Sequence, residues 1–366
     1  MNSLGFNKKK ADTKVIVAMS GGVDSSVAAA LLKKQGYNVI GVTLKLYNQV
    51  NRESSKTCCA GQDIADAAKV ADMLNFPHST YDYQDRFFTN VIDQFVESYS
   101  IGETPVPCIS CNQTVKFTDL LNEAKNQNAD ALVTGHYVRR IGGANNAKLY
   151  KAKDHSKDQS YFLFATTRDQ LDYLRFPLGD YLKSDIRKIA EDLSLPVKDK
   201  PDSQDICFVS KNNYRDLILK LKPESYKKGK ILNTEGKVIG AHEGIINYTV
   251  GQRKGIGIGG SKYPLYVLSV NKEKNEIVLG EKIHLEKTQV ELKNINWLID
   301  KKVTKIRCSA RIRSNQKEMK GELEVFGNNA KFVFDDKIMS TSQGQACVFY
   351  LKDQVLGGGW ITKTIN

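Results

Sequence analysis

Five consecutive uncharged residues, Val15-Ile-Val-Ala-Met19, rich in β-branched types, predict a buried parallel strand. Ser20-Gly21-Gly22 breaks it. Asp24-Ser25-Ser26 supplies helix-start residues, and Val27 to Gln35 continues as a helical run closed by Gly36. A second apolar strand, Asn38 to Leu46, completes a crossover unit of the length a parallel pair needs. The alternation goes on through helix Asp63 to Asn75, strand 78–83 and a long helix from Gln84 to Tyr99. Helix Thr114 to Asn126, strand Ala131 to Tyr137 and amphipathic helix Asp185 to Leu195 follow. The pattern then changes. Lys230 to Gly240 reads as strand, turn, strand. Short alternating strands follow: Tyr266–Val270, Glu276–Leu279, Gln289–Ile295, Lys305–Ile312, Gly321–Val325, Lys331–Phe334 and Gln345–Tyr350. Turns such as Lys274-Asn275 and Gly327-Asn328 separate them, which argues a small antiparallel barrel. The expected fold is therefore α/β: a doubly wound parallel sheet, a small central domain and a C-terminal antiparallel β-barrel. The expected divisions are a loose tail over 1–13 and domains over 14–216, 217–280 and 281–366.

Composition narrows the class. At 366 residues the chain can bury a substantial core. No apolar run approaches the roughly 20 residues of a membrane span, so no membrane partner is expected. The segment Met1 to Lys14 is polar, with Lys8-Lys9-Lys10 and no apolar run after it, unlike a secretory signal. Seven cysteines, an odd number in a long chain, fit a reducing compartment better than a disulfide scaffold, so a cytoplasmic location is expected. The net charge of +13 is uneven. Residues 1–216 hold 28 Lys+Arg against 26 Asp+Glu, or +2, while residues 217–366 hold 26 against 15, or +11. A nearly neutral front half and a basic back half suit a catalytic domain followed by an electrostatic handle for a polyanion.

The candidate chemistry sits at strand ends. A glycine turn between a strand's carboxyl end and a helix aims successive N–H groups at one spot, where the helix dipole favours an anion. Ser20 and Ser25 add hydroxyls, and Asp24 is a candidate to hold a magnesium ion bridging phosphates. No lysine follows the glycines, so this is not a Gly-x-x-x-x-Gly-Lys-Ser/Thr loop. Leu44, at the end of the second strand, either carries an adenine on its backbone or is plain core. Cys58-Cys59 reads as a small buried pair capping a helix. Two prolines, Pro105 and Pro107, argue against regular helix before Cys111-Asn112, which places Cys111 at a helix N-terminus with a lowered pKa. The Cys108-x-x-Cys111 spacing alone allows a redox pair, half a metal site, or a nucleophile with a neighbour. Gly135-His136 ends a strand at the same edge, where glycine lets a ligand approach and the histidine is either structural or functional. Lys157-Asp158-Gln159-Ser160-Tyr161 is either a helix cap or a contact for a polar substrate. Cys207, 96 residues beyond Cys111, reads by itself as core. The Gly251-to-Gly260 run contains a formal Gly-x-Gly-x-x-Gly. With no strand directly before it and no helix after it, the run reads as a flexible basic loop rather than a dinucleotide site. Arg311 and Arg313 alternate on one strand face, so both guanidiniums are placed to reach phosphates, unless that face is merely solvated.

The string Ser20-Gly-Gly-Val-Asp-Ser25 resembles the PP-loop of the N-type ATP pyrophosphatases, which clamp the pyrophosphate of ATP and transfer AMP. Further motifs together resemble one family, the tRNA-specific 2-thiouridylases. They are Thr104-Pro-x-Pro-Cys-x-x-Cys111-Asn-x-x-Val-Lys-Phe117, Thr134-Gly-His136-Tyr, Lys157-Asp-Gln-Ser-Tyr161, Asp202-Ser-Gln-Asp-Ile-Cys207-Phe, Asn247-Tyr-Thr-Val-Gly-Gln-Arg-Lys-Gly255 and Gly344-Gln345-Ala-Cys. The resemblance runs from about residue 14 to 350. It implies ATP- and Mg2+-dependent 2-thiolation of the wobble uridine of tRNA, with AMP and pyrophosphate as by-products. It implies Cys111 as nucleophile and Cys207 as persulfide carrier. It also implies ATP contacts at Ala18, Met19, Ser20, Gly21, Gly22, Val23, Asp24, Ser25, Leu44 and Gly135. The implied tRNA contacts are Val106, Pro107, Cys108, His136, Lys157, Asp158, Gln159 and Gln345, with Arg253, Lys254, Arg311 and Arg313 from the basic back half. A persulfide-donating sulfur carrier or cysteine desulfurase is the implied protein partner. Many members carry an aspartate where this chain has Cys108, so acid/base duty is left unassigned, and a Cys108–Cys111 disulfide is one candidate resting state. Two other classes stay in view: a cluster-dependent thiolase with Cys108, Cys111 and Cys207 on iron, and a non-catalytic RNA-binding protein. A zinc site on the same cysteines is disfavoured by the lack of a second close Cys-x-x-Cys.

Overall fold

A computed structural model describes all residues except 48–60, 144, 203–205, 210–212 and 301–302. Cys58-Cys59 and residues 203–205 of the Asp202-to-Phe208 run lie outside the described residues. Four elements build the first parallel unit: β1 (Lys14–Ala18), α1 (Val23–Lys34), β2 (Asn38–Lys45) and α2 (Gly61–Met73). After β3 (His78–Asp82), one long helical stretch runs through α3 (Gln84–Phe87), a wider-wound turn at Phe88–Ile92 and α4 (Asp93–Ser100). A second such stretch runs through α5 (Pro107–Cys111), a wider-wound segment Asn112–Asp119 and α6 (Leu120–Asn126). Then come β4 (Ala131–Thr134), the hairpin β5 (Val138–Ile141) and β6 (Lys148–Lys151), α7 (Arg168–Tyr173), β7 (Leu174–Arg175), α8 (Lys183–Asp192) and α9 (Tyr214–Leu221). The sheet order is β3-β2-β1-β4-β7, parallel throughout. β1 lies in its centre, and Val15, Ile16 and Val17 are fully buried. Apolar side chains cover both faces, as the uncharged strand implies.

The middle sheet has the order β10-β11-β8-β9. It comprises β8 (Gly229–Leu232), β9 (Val238–His242), β10 (Tyr266–Asn271) and β11 (Glu276–Gly280) around Ile231, Val267, Ile277 and Leu279. The pair read from the sequence as the first barrel strands, 266–279, thus belongs here, because β11 pairs in parallel with β8. Six antiparallel strands form the closed barrel: β12 (Glu286–Trp297), β13 (Lys305–Arg311), β14 (Met319–Phe326), β15 (Asn329–Met339), β16 (Ala346–Leu351) and β17 (Gln354–Ile365). Closure comes from β12, which pairs with both β15 and β17. Cys308 and Cys347 are barrel core, and burial raises both thiols, Cys308 to about 12. Hairpin β5–β6 extends the barrel sheet through β17, at Gln354 opposite Tyr150. No helix among the described residues is long and apolar enough to cross a membrane.

Candidate active site

The glycine turn sits at the carboxyl end of β1. Gly22 takes the position before α1, so Asp24, Ser25 and Ser26 lie inside the helix rather than capping it. Gly21 has φ +71°, and a Cβ there would stand 2.1 Å from the Asp63 carbonyl oxygen. Glycine is therefore required both by conformation and by the close approach of α2. The Ser25 hydroxyl accepts the Ser20 N–H at 3.1 Å and donates to the Gly22 carbonyl at 3.2 Å, which fixes the turn. Ala18 packs against the apolar core, Met19 and Val23 are buried beneath the turn, and Leu44 is a buried residue of β2 beside it. At Gly135 a Cβ would stand 2.8 Å from the Ser25 backbone nitrogen. That glycine admits helix α1 itself, where the sequence suggested access for a ligand.

Two lysines that sequence reasoning missed stand at this turn. Lys183, opening α8, reaches Asp24 at 2.7 and 2.8 Å and Asp202 at 2.9 Å, and Tyr137 donates its hydroxyl to Asp24 at 2.7 Å. Lys200 donates to the Gly21 carbonyl at 2.9 Å, to Asp66 at 2.8 Å and to Asp63. Asp63 is buried, and its Oδ2 has no hydrogen-bond partner among the described residues. Asp202 also binds Lys157 at 3.0 Å and Arg187 at 2.5 Å. Burial alone would raise the Asp202 carboxyl; Lys183 and Lys157 outweigh it and hold it down at about 2. A signal existed in the Lys198-Asp-Lys200-Pro-Asp202 run, but only the fold shows that it folds back onto residue 21.

The cysteine helix starts earlier than the prolines suggested. Pro107 is its first residue, where a missing N–H costs nothing, so Cys111 lies a turn inside. It therefore gains no N-terminal activation. Cys111 is 7% exposed, and burial raises its thiol, with the Lys116 ammonium opposing. Cys108, one turn earlier, faces outward; crowding around its sulfur raises it too, again with Lys116 opposing. Cys108 and Cys111 are separate thiols. Among the described residues no group of three or more His, Cys, Asp or Glu could hold a metal ion. Cys207 packs against the same apolar cluster that contains Cys111. Its carbonyl accepts the Tyr47 hydroxyl at 2.7 Å, and its neighbour Phe208 sits edge-on to Phe87 and Phe95.

His136 is wedged between Phe117 and Phe176, with Nδ1 2.8 Å from the Thr134 hydroxyl. Burial, with Lys116 nearby, pushes its pKa down to about 3. The remaining expected contacts divide. Arg253 and Lys254 are exposed on the middle-domain loop, and Lys157 is partly exposed. Gln159 exchanges hydrogen bonds with the Tyr137 backbone. Asp158 has a fully buried side chain and pairs with Arg311 at 2.9 Å. Arg311 also binds Glu318 at 3.0 Å and lies over the Tyr350 ring, so its guanidinium points into the barrel–hairpin junction and not outward. Arg313 donates to the Ser340 carbonyl at 2.7 Å. Gln345 donates to the Thr104 carbonyl at 2.8 Å, and the Thr104 N–H binds Gln343. The barrel thereby clamps the segment leading to Val106, Pro107 and Cys108.

Family profiles match three stretches: a "tRNA methyl transferase HUP domain" over residues 13–211, a "tRNA methyl transferase PRC-barrel domain" over 216–281 and an "Aminomethyltransferase beta-barrel domain" over 287–361. A solved 4-thiouridine synthetase–RNA complex with bound ATP is distantly similar, at 15% identity and TM-score 0.37, covering 58% of this chain and 51% of that one. A protein of Rhodospirillum centenum called tRNA-specific 2-thiouridylase MnmA is 49% identical over 99% of this chain and 95% of its own. Those of Orientia tsutsugamushi (49%, covering 98% of each chain) and of the Wolbachia of Drosophila simulans (51%, 95% and 94%) carry the same name. With such identity sustained through all three domains, the chain belongs to the tRNA-specific 2-thiouridylase family.

Proposed function

We propose that this protein is an ATP-dependent tRNA sulfurtransferase that converts the wobble uridine to 2-thiouridine. One observation carries the reading: Cys111 and Cys207, distant in sequence, share one apolar cluster beside the glycine turn that opens α1. The uracil O2 is a poor leaving group. Its attack on the α-phosphorus of ATP expels pyrophosphate and turns the departing oxygen into AMP. The N–H groups opening α1 receive the phosphates, and Lys183 and Lys200 stand beside them. Asp24, at the turn's mouth, fits a magnesium ion held by one carboxylate and phosphate oxygens, because Lys183 has Asp202 as its alternative partner. Magnesium there would offset the charge leaving on pyrophosphate.

Cys207 carries a persulfide from a sulfur-carrier protein or desulfurase. Its terminal sulfur attacks C2 and AMP departs. The Cys111 thiolate then attacks Cys207 Sγ, breaking the S–S bond, freeing 2-thiouridine and leaving a Cys111–Cys207 disulfide for an external thiol to reduce. Lys116 opposes the burial that raises the Cys111 thiol, and the same ammonium helps keep His136 neutral. Arg253 and Lys254 supply exposed charge for the RNA backbone. The reaction belongs in the cytoplasm, with tRNA.

The test uses anaerobically reduced protein, unmodified tRNA, magnesium ATP and sulfide, with mass spectrometry of the digested tRNA. ATP-dependent 2-thiouridine at the wobble position supports the reading, with loss in Cys111→Ser when a persulfide donor supplies the sulfur. Cys207→Ser should fail only when a persulfide donor replaces sulfide. No thiouridine from folded, ATP-binding protein overturns it, and thiolation only after iron–sulfur reconstitution reassigns the cysteines.

A further inference from the structure

Two recesses open on either side of Trp360, between the cysteine helix and the barrel. The first, about 160 Å³, is lined by Val106, Pro107 and Ser110, on the segment that carries Cys111. A cavity near 150 Å³ admits a six-membered aromatic ring, so this one suits a flipped uracil. The second, about 470 Å³ and open to solvent, is lined by Gln113, Phe164, Asn294, Asn296, Asn328 and Trp360. Ser110 and Gln113 are three residues apart and so share a helix face. The two recesses are therefore neighbours along one helix, with the half-buried Trp360 between them.

The lining of the second recess selects its occupant. Among the described residues it contains no charged side chain, which disfavours phosphate. Its aromatic wall is Trp360, steadied edge-on by Phe164 at 5.6 Å. Its polar groups are carboxamides. Asn296 is tied to the Phe164 and Thr166 carbonyls at 2.6 and 2.9 Å. Asn328 donates to Asn294 Oδ1 at 3.2 Å, and among the described residues Asn328 Oδ1 and Asn294 Nδ2 have no side-chain partner. Gln113 is exposed and has no side-chain partner among the described residues. An aromatic face with adjacent neutral donors and acceptors is the chemistry that recognises an unstacked nucleobase.

We propose that this recess binds the base of a nucleotide adjoining the modified uridine, stacked on Trp360 and read by Gln113, Asn294 and Asn328. The proposal rests on the RNA-modifying function above. It makes the barrel a selector of sequence context as well as a source of charge.

The test uses the full chain and an anticodon stem–loop RNA. In a Trp297→Phe background Trp360 is the remaining tryptophan of the two, and stacking should quench its fluorescence. Trp360→Ala should weaken binding of intact RNA about tenfold or more, while Trp360→Phe keeps most of the affinity. An RNA made abasic at the 5′ or the 3′ neighbour should lose affinity for the parent protein and become indifferent to Trp360→Ala. Gln113→Ala, an exposed change that spares the fold, should alter the preference among bases at that same position. Thiolation that proceeds with no quenching, or a Trp360→Ala penalty equal for intact and abasic RNA, overturns this proposal alone. A parent protein that neither binds nor thiolates RNA overturns the proposed function with it.

Discussion

Arg311 separates two accounts of the barrel. Read from the sequence, its guanidinium reaches RNA phosphate; in the structure it is 12% exposed and bound to Asp158, which is 0% exposed, and to Glu318. Arg311→Met would leave the Asp158 carboxylate buried. That carboxylate keeps three other donors, the Ser160 N–H and hydroxyl and the Ala152 N–H, at 3.2, 2.8 and 3.1 Å. Breaking a buried pair costs about 3–5 kcal/mol. The surviving donors place this case near the lower end, at about 3 kcal/mol. Adding Asp158→Asn removes the stranded charge, so the double variant should cost less than the sum of the singles by roughly 2 kcal/mol. Urea denaturation followed by tryptophan fluorescence suits the question, because Trp297 and Trp360 lie in the barrel strands β12 and β17. The reasoning is refuted if Arg311→Met keeps its unfolding midpoint but weakens RNA binding and lowers the salt slope by about one.

Other expectations follow from the same geometry. Lys116→Gln removes the cation that opposes burial at Cys111, so alkylation of that thiol should slow at neutral pH and its pH profile should move upward; an unchanged profile counts against the role of Lys116. His136, held down at about 3, should show no imidazole titration by NMR between pH 5 and 8. Its folded pKa lies below the unfolded value of about 6.5. Its contribution to stability is therefore complete above that pH and is lost as pH falls toward 3, because the unfolded chain takes the proton first. Gly21→Ala should abolish ATP binding by calorimetry and lower the melting temperature well beyond Gly36→Ala. Both glycines have positive φ, but only Gly21 has backbone atoms where the methyl would go. Equal effects of the two changes would dismiss the close approach of Asp63 as the reason for glycine.

Local pattern made the sheet legible, because β4 is uncharged throughout and β1 and β2 are uncharged but for one lysine at an end. Strand β17 escaped it. Its Gly357-Gly358-Gly359 run reads as a breaker, yet Cβ atoms there would stand 2.1 Å from the Asn296 carbonyl oxygen, 2.6 Å from the Phe164 ring and 2.4 Å from Ile295. Tertiary crowding selects those glycines, and no window of sequence displays it. At the site, the turn carried its own signal and the Cys108-x-x-Cys111 spacing a partial one, while Cys207 by itself read as core. The direction of Arg311 did not, since it depends on a carboxylate 153 residues away. Lys183 and Lys200 were hidden for the same reason: surface helices and loops are full of lysine, and only the return of residues 183–202 to the glycine turn singles these two out.

The clasp between the Gln343–Gln345 loop and Thr104 has a consequence for how the chain can be divided. A segment near the end of the sequence holds the strap that introduces Cys108 and Cys111, while hairpin β5–β6 lends its edge to the barrel in return. Each body therefore contains a piece whose position the other dictates. Cutting the chain before β12 would remove the support of the strap that introduces Cys108 and Cys111 rather than an accessory. The two fragments, expressed apart and mixed, should regain activity only to the extent that they find this mutual grip again.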